Sequence, residues 1–405
     1  MNDDNILKLK SFRSLYIAGL TSELGSFITD TAIMLFVFAL SAQDKSTLGI
    51  TRAVFLFCIT IGSLIGGPLG VRFPKRNLLI MSEVLRIPLV ISLFFIHHVP
   101  FVIIANGMIG FFTGIYNPSR QSLINEIVPE NKIKAANSLF GSTMAVLHLV
   151  GPLVGASLYS FTKRVDEVLF LDIFTYIIGI YFLLQIKHFN VQHSEKNNKT
   201  FLQNLRYDFV EGFRYVKTRP DVFVILSSTV ILGFGIGVLI PLLLPYTLEV
   251  LGKGETEYGI GISLFGLGGI IGGYLSHKLN NKFPAGKIFA ATLILEGLNF
   301  FVWLYSTIFW LNCIALIIWG IIVFVRIPSE LNYFSTTVDK EFLSRIHSFF
   351  DLSFVVPNIT AGMFVAWVIQ YTSTFNVLLG ASIIMMIFIF LQFFTRGMRE
   401  ILKAS

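Results

Sequence analysis

Twelve mostly apolar runs follow one another along the chain, at 15–40, 48–71, 78–96, 101–117, 135–158, 168–186, 222–248, 258–277, 288–306, 308–325, 343–369 and 375–395. Each is close to the roughly 20 residues a helix needs to cross a bilayer. In lipid every backbone N–H and C=O must find its partner within the protein, so runs of this kind are helices. The pattern predicts an all-α integral membrane protein with twelve transmembrane helices.

The breaks between runs repeat. After the second run comes Ile65-Gly66-Gly67-Pro68-Leu69-Gly70-Val71-Arg72-Phe73-Pro74-Lys75-Arg76, and after the eighth Ile271-Gly272-Gly273-Tyr274-Leu275 with Lys278, Lys282 and Lys287. Gly67 and Gly273 stand 206 residues apart, about half the chain. Near the same offset, Val128 to Ser138 and Val338 to Ser348 each precede an apolar helix. The spacing predicts two parallel copies of a six-helix half, 1–188 and 221–405, as in many secondary transporters. The segment 189–220 joins them. Within it Thr200 and Gln203 can form a capping box, and Leu202, Leu205, Phe209, Phe213 and Val216 recur at spacings of three and four. An amphipathic helix on the cytoplasmic face is expected there, with Arg206, Arg214 and Lys217 toward headgroups or water.

Composition agrees with this picture. Of 405 residues 54% are hydrophobic and 14% charged, with 41 Phe and a mean hydropathy of +0.73. Soluble chains carry about 25% charged residues. The polar lead Met1 to Ser11 has no small-residue cleavage site after it and is not read as a signal peptide. The net charge of +7 is spread over short loops and is no nucleic-acid signal. Of 31 Lys and Arg, 25 fall on one side of the predicted membrane and four (Lys45, Lys163, Arg164 and Lys253) on the other. That bias places both termini in the cytoplasm. Cys58 and Cys313 lie inside apolar runs and read as small buried hydrophobes, not a disulfide or metal framework. No nucleotide cradle, metal-ligand spacing or nucleophile constellation is present. The chain is therefore not read as an enzyme or ATPase, and no cofactor or metal is expected.

The turn from Gly66 to Leu79 resembles the loop between helices two and three of the major facilitator superfamily, through Gly67, Leu69, Gly70, Arg72, Lys75 and Arg76. The family's acidic position is occupied by Val71. Gly151-Pro152-Leu153-Val154-Gly155 resembles the antiporter motif of the family's exporters. Phe12-Arg13-Ser14-Leu15-Tyr16, Asn117-Pro118-Ser119-Arg120-Gln121, Val128-Pro129-Glu130 and Ala136-Asn137-Ser138 are similar to the subgroup of macrolide-efflux and siderophore-export proteins. The arginine that many proton antiporters carry in helix four would fall near Asn106. The resemblance implies alternating access in a bacterial cytoplasmic (plasma) membrane, with Gly67, Arg72, Lys75 and Arg76 as gate residues. Asp351, in helix eleven, either supplies the acid missing at Val71 or caps and packs its helix.

Charges within the spans carry the candidate chemistry, because ionisable groups at membrane depth are costly and usually face a cavity or partner. Glu23 and Asp30, seven residues apart, share a face of helix one at roughly 10 Å along the axis. They read as proton-coupling or substrate groups, Asp30 being the favoured proton carrier; the other reading pairs Asp30 with Arg52. Glu296, near the middle of helix nine, is a further cavity candidate. Glu83 and Arg86, at i and i+3, read as an ion pair bracing helix three. Asp172 reads as an interface residue and His148 as a hydrogen-bonded core histidine. Gly151-Pro152 and the Gly233, Gly235, Gly237, Pro241, Pro245 series read as bend or gate points, or as close packing.

The expectation is a monomeric, proton-driven exporter of an amphiphilic small molecule or drug, in contact with lipid and with no nucleic-acid partner. A siderophore or lysolipid exporter with weak or no proton coupling, and a non-transporting receptor or scaffold, are the alternatives. Orientation is directly testable. Single cysteines placed at Lys45 and Lys253 are expected to react with an impermeant reagent from outside intact cells, and those at Lys196 and Lys282 only after permeabilisation; the reverse pattern would invert the topology.

Overall fold

The computed structural model describes residues 6–186 and 201–403. Among them are fourteen α-helices and no strand: α1 (Lys10–Leu40), α2 (Lys45–Arg72), α3 (Lys75–Leu93), α4 (Val99–Ile127), α5 (Glu130–Thr162), α6 (Asp166–Leu184), α7 (Phe201–Thr218), α8 (Pro220–Glu249), α9 (Glu255–Asn280), α10 (Ala285–Tyr305), α11 (Phe309–Thr337), α12 (Lys340–Val368), α13 (Thr374–Gln392) and α14 (Arg396–Lys403). Eleven are long and apolar enough to cross a membrane. The sequence pattern had predicted twelve spans. The difference is α3, which carries Lys75, Arg76, Glu83 and Arg86 in 19 residues.

Several helices run past the predicted ends. The fourth and tenth apolar runs were expected to stop at residues 117 and 325, yet α4 continues to Ile127 and α11 to Thr337. Arg120 and Arg326, counted above among the loop cations, therefore lie inside helices. Arg326 is fully buried and Arg120 partly so, each matched by a carboxylate. Hydropathy ends a span at the first charge, whereas helical hydrogen bonding continues through a charge that finds a partner.

The chain divides into two compact units, Met1–Glu195 with Gly254–Ser263, and Lys196–Lys253 with Leu264–Ser405. In the first, α1 is the hub, packed on α4, α5 and α6, while α2 lies along α4 and α3 against α4 and α6. Three glycine contacts set the spacing about α1. A Cβ on Gly25 would strike Thr175 and Asp172 of α6, and on Gly151 and Gly155 of α5 it would strike Phe27 and the Ile28 carbonyl. Two residues of the resembled antiporter motif thus serve as the surface on which α1 lies. Small residues of this kind let backbones close up where lipid supplies no hydrophobic drive.

The repeat seen in sequence is also a repeat of contacts. Gly62 and Gly66 of α2 meet Phe111, Gly114 and Ile115 of α4; Gly268 and Gly272 of α9 meet Ile317, Gly320 and Ile321 of α11. Each of these glycines has its counterpart 206 residues on. In the second unit α8 packs on α12 and α13, and α10 on α11. Here Gly233 and Gly237 of α8 press on Phe354 and Asn358 of α12, so the glycines lie on the opposite partner from those of α5.

The linker helix, α7, belongs to the second unit. Gly212 faces Phe349, Tyr215 stacks on Phe342 at 4.3 Å between centroids, and Glu211 pairs with Arg345 at 3.1 Å. Arg214 and Lys217 are exposed, as are Phe209 and Phe213. The expected capping residues Thr200 and Gln203, and the side chains of Leu202, Leu205 and Arg206, lie outside what is described. The C-terminal α14, not anticipated from the sequence, buries Met398 and Ile401 and sets Gly397 against the Pro220 carbonyl.

The crossings predict a sharp contrast. Gly114→Ala and Gly320→Ala each place a methyl on a facing backbone carbonyl, whereas Gly67 faces open space. Overpacking of this sort costs about 1–3 kcal/mol. Both crossing variants are expected to lower the melting temperature of the purified protein by several degrees while Gly67→Ala leaves it unchanged, as read by fluorescence-detected size exclusion after heating.

Candidate functional site

A cavity of about 230 Å³ lies within the first unit, lined by Glu23, Thr29 and Asp30 of α1, Arg52 of α2, Asn106 and Asn117 of α4, and Asp172 and Tyr176 of α6. The seven-residue spacing in α1 places both of its acids on this cavity. Neither stands alone. The Arg120 Nη1 donates to Glu23 Oε1 at 2.8 Å, with both side chains about 15% exposed. Arg120 also lies against the rings of Tyr116 and Phe140. Asp30 faces Arg52 at 3.5 Å and is 40% exposed, a looser pair. Position 106, where an arginine was the family expectation, presents its asparagine to the same cavity.

Glu83 and Arg86 are both buried and 4.0 Å apart, one turn along α3. The Arg86 guanidinium rests between the rings of Tyr116 and Tyr176, at 5.2 and 5.3 Å, with its Nη1 3.5 Å from the Ser22 hydroxyl. Aromatic faces take the place of water around that cation.

Asp172 is the carboxylate sequence reasoning placed wrongly. It is fully buried and lines the cavity, and its carboxylate lies near the hydroxyls of Thr29, Thr175 and Tyr176 without completing a hydrogen bond of normal geometry. The Thr29 and Tyr176 hydroxyls and the Asn117 Oδ1 are likewise buried and lack a hydrogen bond of normal geometry. The available signal was the series Asp172, Thr175, Tyr176, which puts three polar side chains on one face of an otherwise apolar helix.

In the second unit Glu296 is buried in an ion cluster. Arg326 donates to Glu296 Oε2 at 3.0 Å and to Glu330 Oε1 at 2.7 Å, and the Trp319 indole donates to Glu296 Oε1 at 3.2 Å. Glu296 is thus a clamped carboxylate, with three of the four residues on α11. Glu330 was missed because the tenth span was ended at 325; the i, i+4 spacing from Arg326 was the signal.

The basic turn is tied to its own unit at two points. Lys75 pairs with Glu126 of α4, and Arg76 donates at 2.7 Å to the Ile186 carbonyl just past α6, satisfying a helix end. Gly67 and Gly70 face open space and Arg72 is exposed at the last residue of α2. The side chain of Val71 is outside the described set, and Asp351 is exposed on α12. His148 lies against Phe27, with ring centroids 4.2 Å apart.

The family model described as the Major Facilitator Superfamily matches residues 15–350. The chain belongs to that superfamily. Among curated relatives, the transporter shares 26% identity over 286 residues with YfmI, an uncharacterized member of the superfamily from Bacillus subtilis (strain 168), covering 68% of each chain. It shares 21% over 403 residues with a Na(+), Li(+), K(+)/H(+) antiporter from Planococcus maritimus, covering 91% of this chain and 94% of that one. Among solved structures, the nucleoside transporter NupG superposes with a TM-score of 0.76 at 12% identity, over 95% of this chain and 98% of that one. A bacterial homolog of the human lysosomal transporter Spinster gives 0.73 at 13%, over 98% of both. At these identities the structural likeness shows the fold. These relatives give no specific support to the macrolide-efflux or siderophore-export likeness of the short motifs.

The buried cluster of the second unit makes a prediction about stability. Removing one partner of a buried ion pair leaves an uncompensated charge and costs about 3–5 kcal/mol. Arg326→Ala strands two carboxylates and is expected to abolish recovery of monodisperse protein, whereas Arg396→Ala, at an exposed pair, leaves recovery unchanged.

Proposed function

We propose that the transporter is a proton-driven antiporter that exports a small positively charged solute. The observation that carries this reading is the charge balance around the cavity of the first unit. Glu23 and Asp30 are offset by Arg120 and Arg52, and Asp172 remains as an unmatched carboxylate. A half-open cavity with one net negative charge favours a cation, and around the fully buried Asp172 the low dielectric strengthens the attraction. The Planococcus relative, which exchanges alkali cations for protons by its name, supports a cation as the exported partner. The resemblance of Gly151-Pro152-Gly155 to the exporters' motif supports the direction.

In this reading α3 is the twelfth crossing: its buried Glu83–Arg86 pair neutralises two of its four charges, and the other two, Lys75 and Arg76, stand at its first two residues. Both chain ends lie in the cytoplasm, the membrane is the bacterial plasma membrane, and the unit of function is a monomer. Alternating access is carried by the two repeats.

Glu23 is the favoured proton carrier, with Asp30 next. The Asp30–Arg52 pair is open to solvent and longer, and exposed pairs are worth little. The Glu23–Arg120 pair is tighter and less exposed, so a proton on Glu23 breaks a stronger contact and frees Arg120, which lies against Tyr116 of its own helix and Phe140 of α5. Protonation is thereby coupled to packing. Glu296, bound on both oxygens, is a structural carboxylate in this account.

Glu23→Gln keeps the shape and removes the titration. In proteoliposomes it is expected to eliminate cation accumulation driven by an imposed pH gradient while preserving counterflow of cation between the two sides. Gradient-driven accumulation at the wild-type rate would exclude Glu23 and pass the role to Asp30→Asn; if that variant is also unaffected, proton coupling through this cavity is wrong.

A further inference from the structure

We infer that the exported solute is an inorganic monovalent cation and that it is held directly by Asp172, Thr29, Tyr176 and Asn117. This rests on the antiport reading for its transport role, but the site itself stands on separate observations. All four side chains line one cavity, the Asp172 carboxylate lies near the Thr29 and Tyr176 hydroxyls, and none of these oxygens nor Asn117 Oδ1 completes a hydrogen bond of normal geometry. Asp172 and Tyr176 are fully buried and Thr29 is 3% exposed. Buried polar atoms are almost always paired, and each exception needs a reason. Here the exceptions converge from three helices on one space.

The chemistry of the set selects the ligand. Every donor is a hard oxygen, with no sulfur or imidazole, and such sets suit alkali and alkaline-earth ions over zinc or copper. Divalent ions are usually met by several carboxylates. This site has one that is free, because Glu23 and Asp30 are held by arginines, so its charge matches a single positive charge. Size points the same way. At about 230 Å³ the cavity is below the roughly 300–1,000 Å³ of sites that enclose drug-sized molecules. Protein oxygens replacing a hydration shell is the device by which channels hold such ions. Gly25 keeps the site compact, since any side chain there would collide with Asp172 and Thr175.

The test uses the purified full-length protein in detergent and 22Na+ in a scintillation proximity assay, with Li+, K+ and tetraphenylphosphonium as competitors. Saturable 22Na+ binding displaced by Li+ or K+ is expected. Asp172→Asn should weaken it by roughly tenfold or more, as befits a lost bond to a full charge. Because Asp172→Asn alone could act through folding, Thr29→Val and Tyr176→Phe are measured too; each removes one oxygen, leaves the charge, and should weaken binding several-fold in a monodisperse protein. Absence of saturable 22Na+ binding, or wild-type binding in all three variants, overturns the inference. A parallel assay in everted vesicles with a pH-sensing dye separates the two claims. If tetraphenylphosphonium but no alkali cation releases protons, the site inference fails and antiport stands. If alkali cations bind through Asp172 yet no cation releases protons, antiport fails and the site stands.

Discussion

A charge taken out of water must be met by another charge, and this requirement organises the transporter. Isolated ions at membrane depth are expensive. Glu23 meets Arg120, Asp30 meets Arg52, Glu83 meets Arg86, and Glu296 and Glu330 share Arg326. All but two of these contacts join different helices, so the pairs fix helix register as well as charge. Such pairs are not necessarily stabilising in total, because the desolvation of both partners offsets their attraction. What they do is penalise arrangements in which one partner is lost. Asp172 stands outside this matching, which is why it attracts a functional reading.

Charge matching at these distances requires helices that come close, and the glycines provide that. Gly25, Gly151 and Gly155 bring α1 against α6 and α5, setting Asp172 of α6 beside the α1 acids that line the same cavity. Gly62 and Gly114 bring α2 onto α4, from which Arg52 and the two asparagines enter the same space. The crossing is repeated with Gly268 and Gly320 in the second unit, and Asn106 and Arg120 recur as Asn312 and Arg326, but Arg52 and Asn117 give way to Tyr258 and Val323. There α11 forms a clamped Arg–Glu cluster with α10, beside the tilted and edge-on rings of Phe300, Trp303 and Trp319. The two repeats thus share a backbone scheme and diverge in chemistry, one presenting donors to a cavity and the other closing on itself.

The sequence by itself determined the helical membrane architecture, because lipid leaves the backbone no alternative, and it determined the repeat, because the close-packing glycines recur at one spacing. It also determined that Glu23 and Asp30 share a face, which follows from helical pitch alone. Pairing was decided elsewhere. Arg120 lies 97 residues from Glu23, and no local rule connects them. The same holds for Asp172: from its position near one end of an apolar run it reads as an interface residue, and only the packing of α6 on α1 encloses it with Thr29 and Tyr176. Arg326 was read as lying beyond a span, and Glu330 passed over, because hydropathy falls there; the tertiary structure matches Arg326 within the helix by supplying Glu296 from α10. Period and composition are properties of neighbouring residues, and a chain reveals them directly. Which charges remain unmatched is a property of distant residues brought together, and it emerges only when the helices are packed.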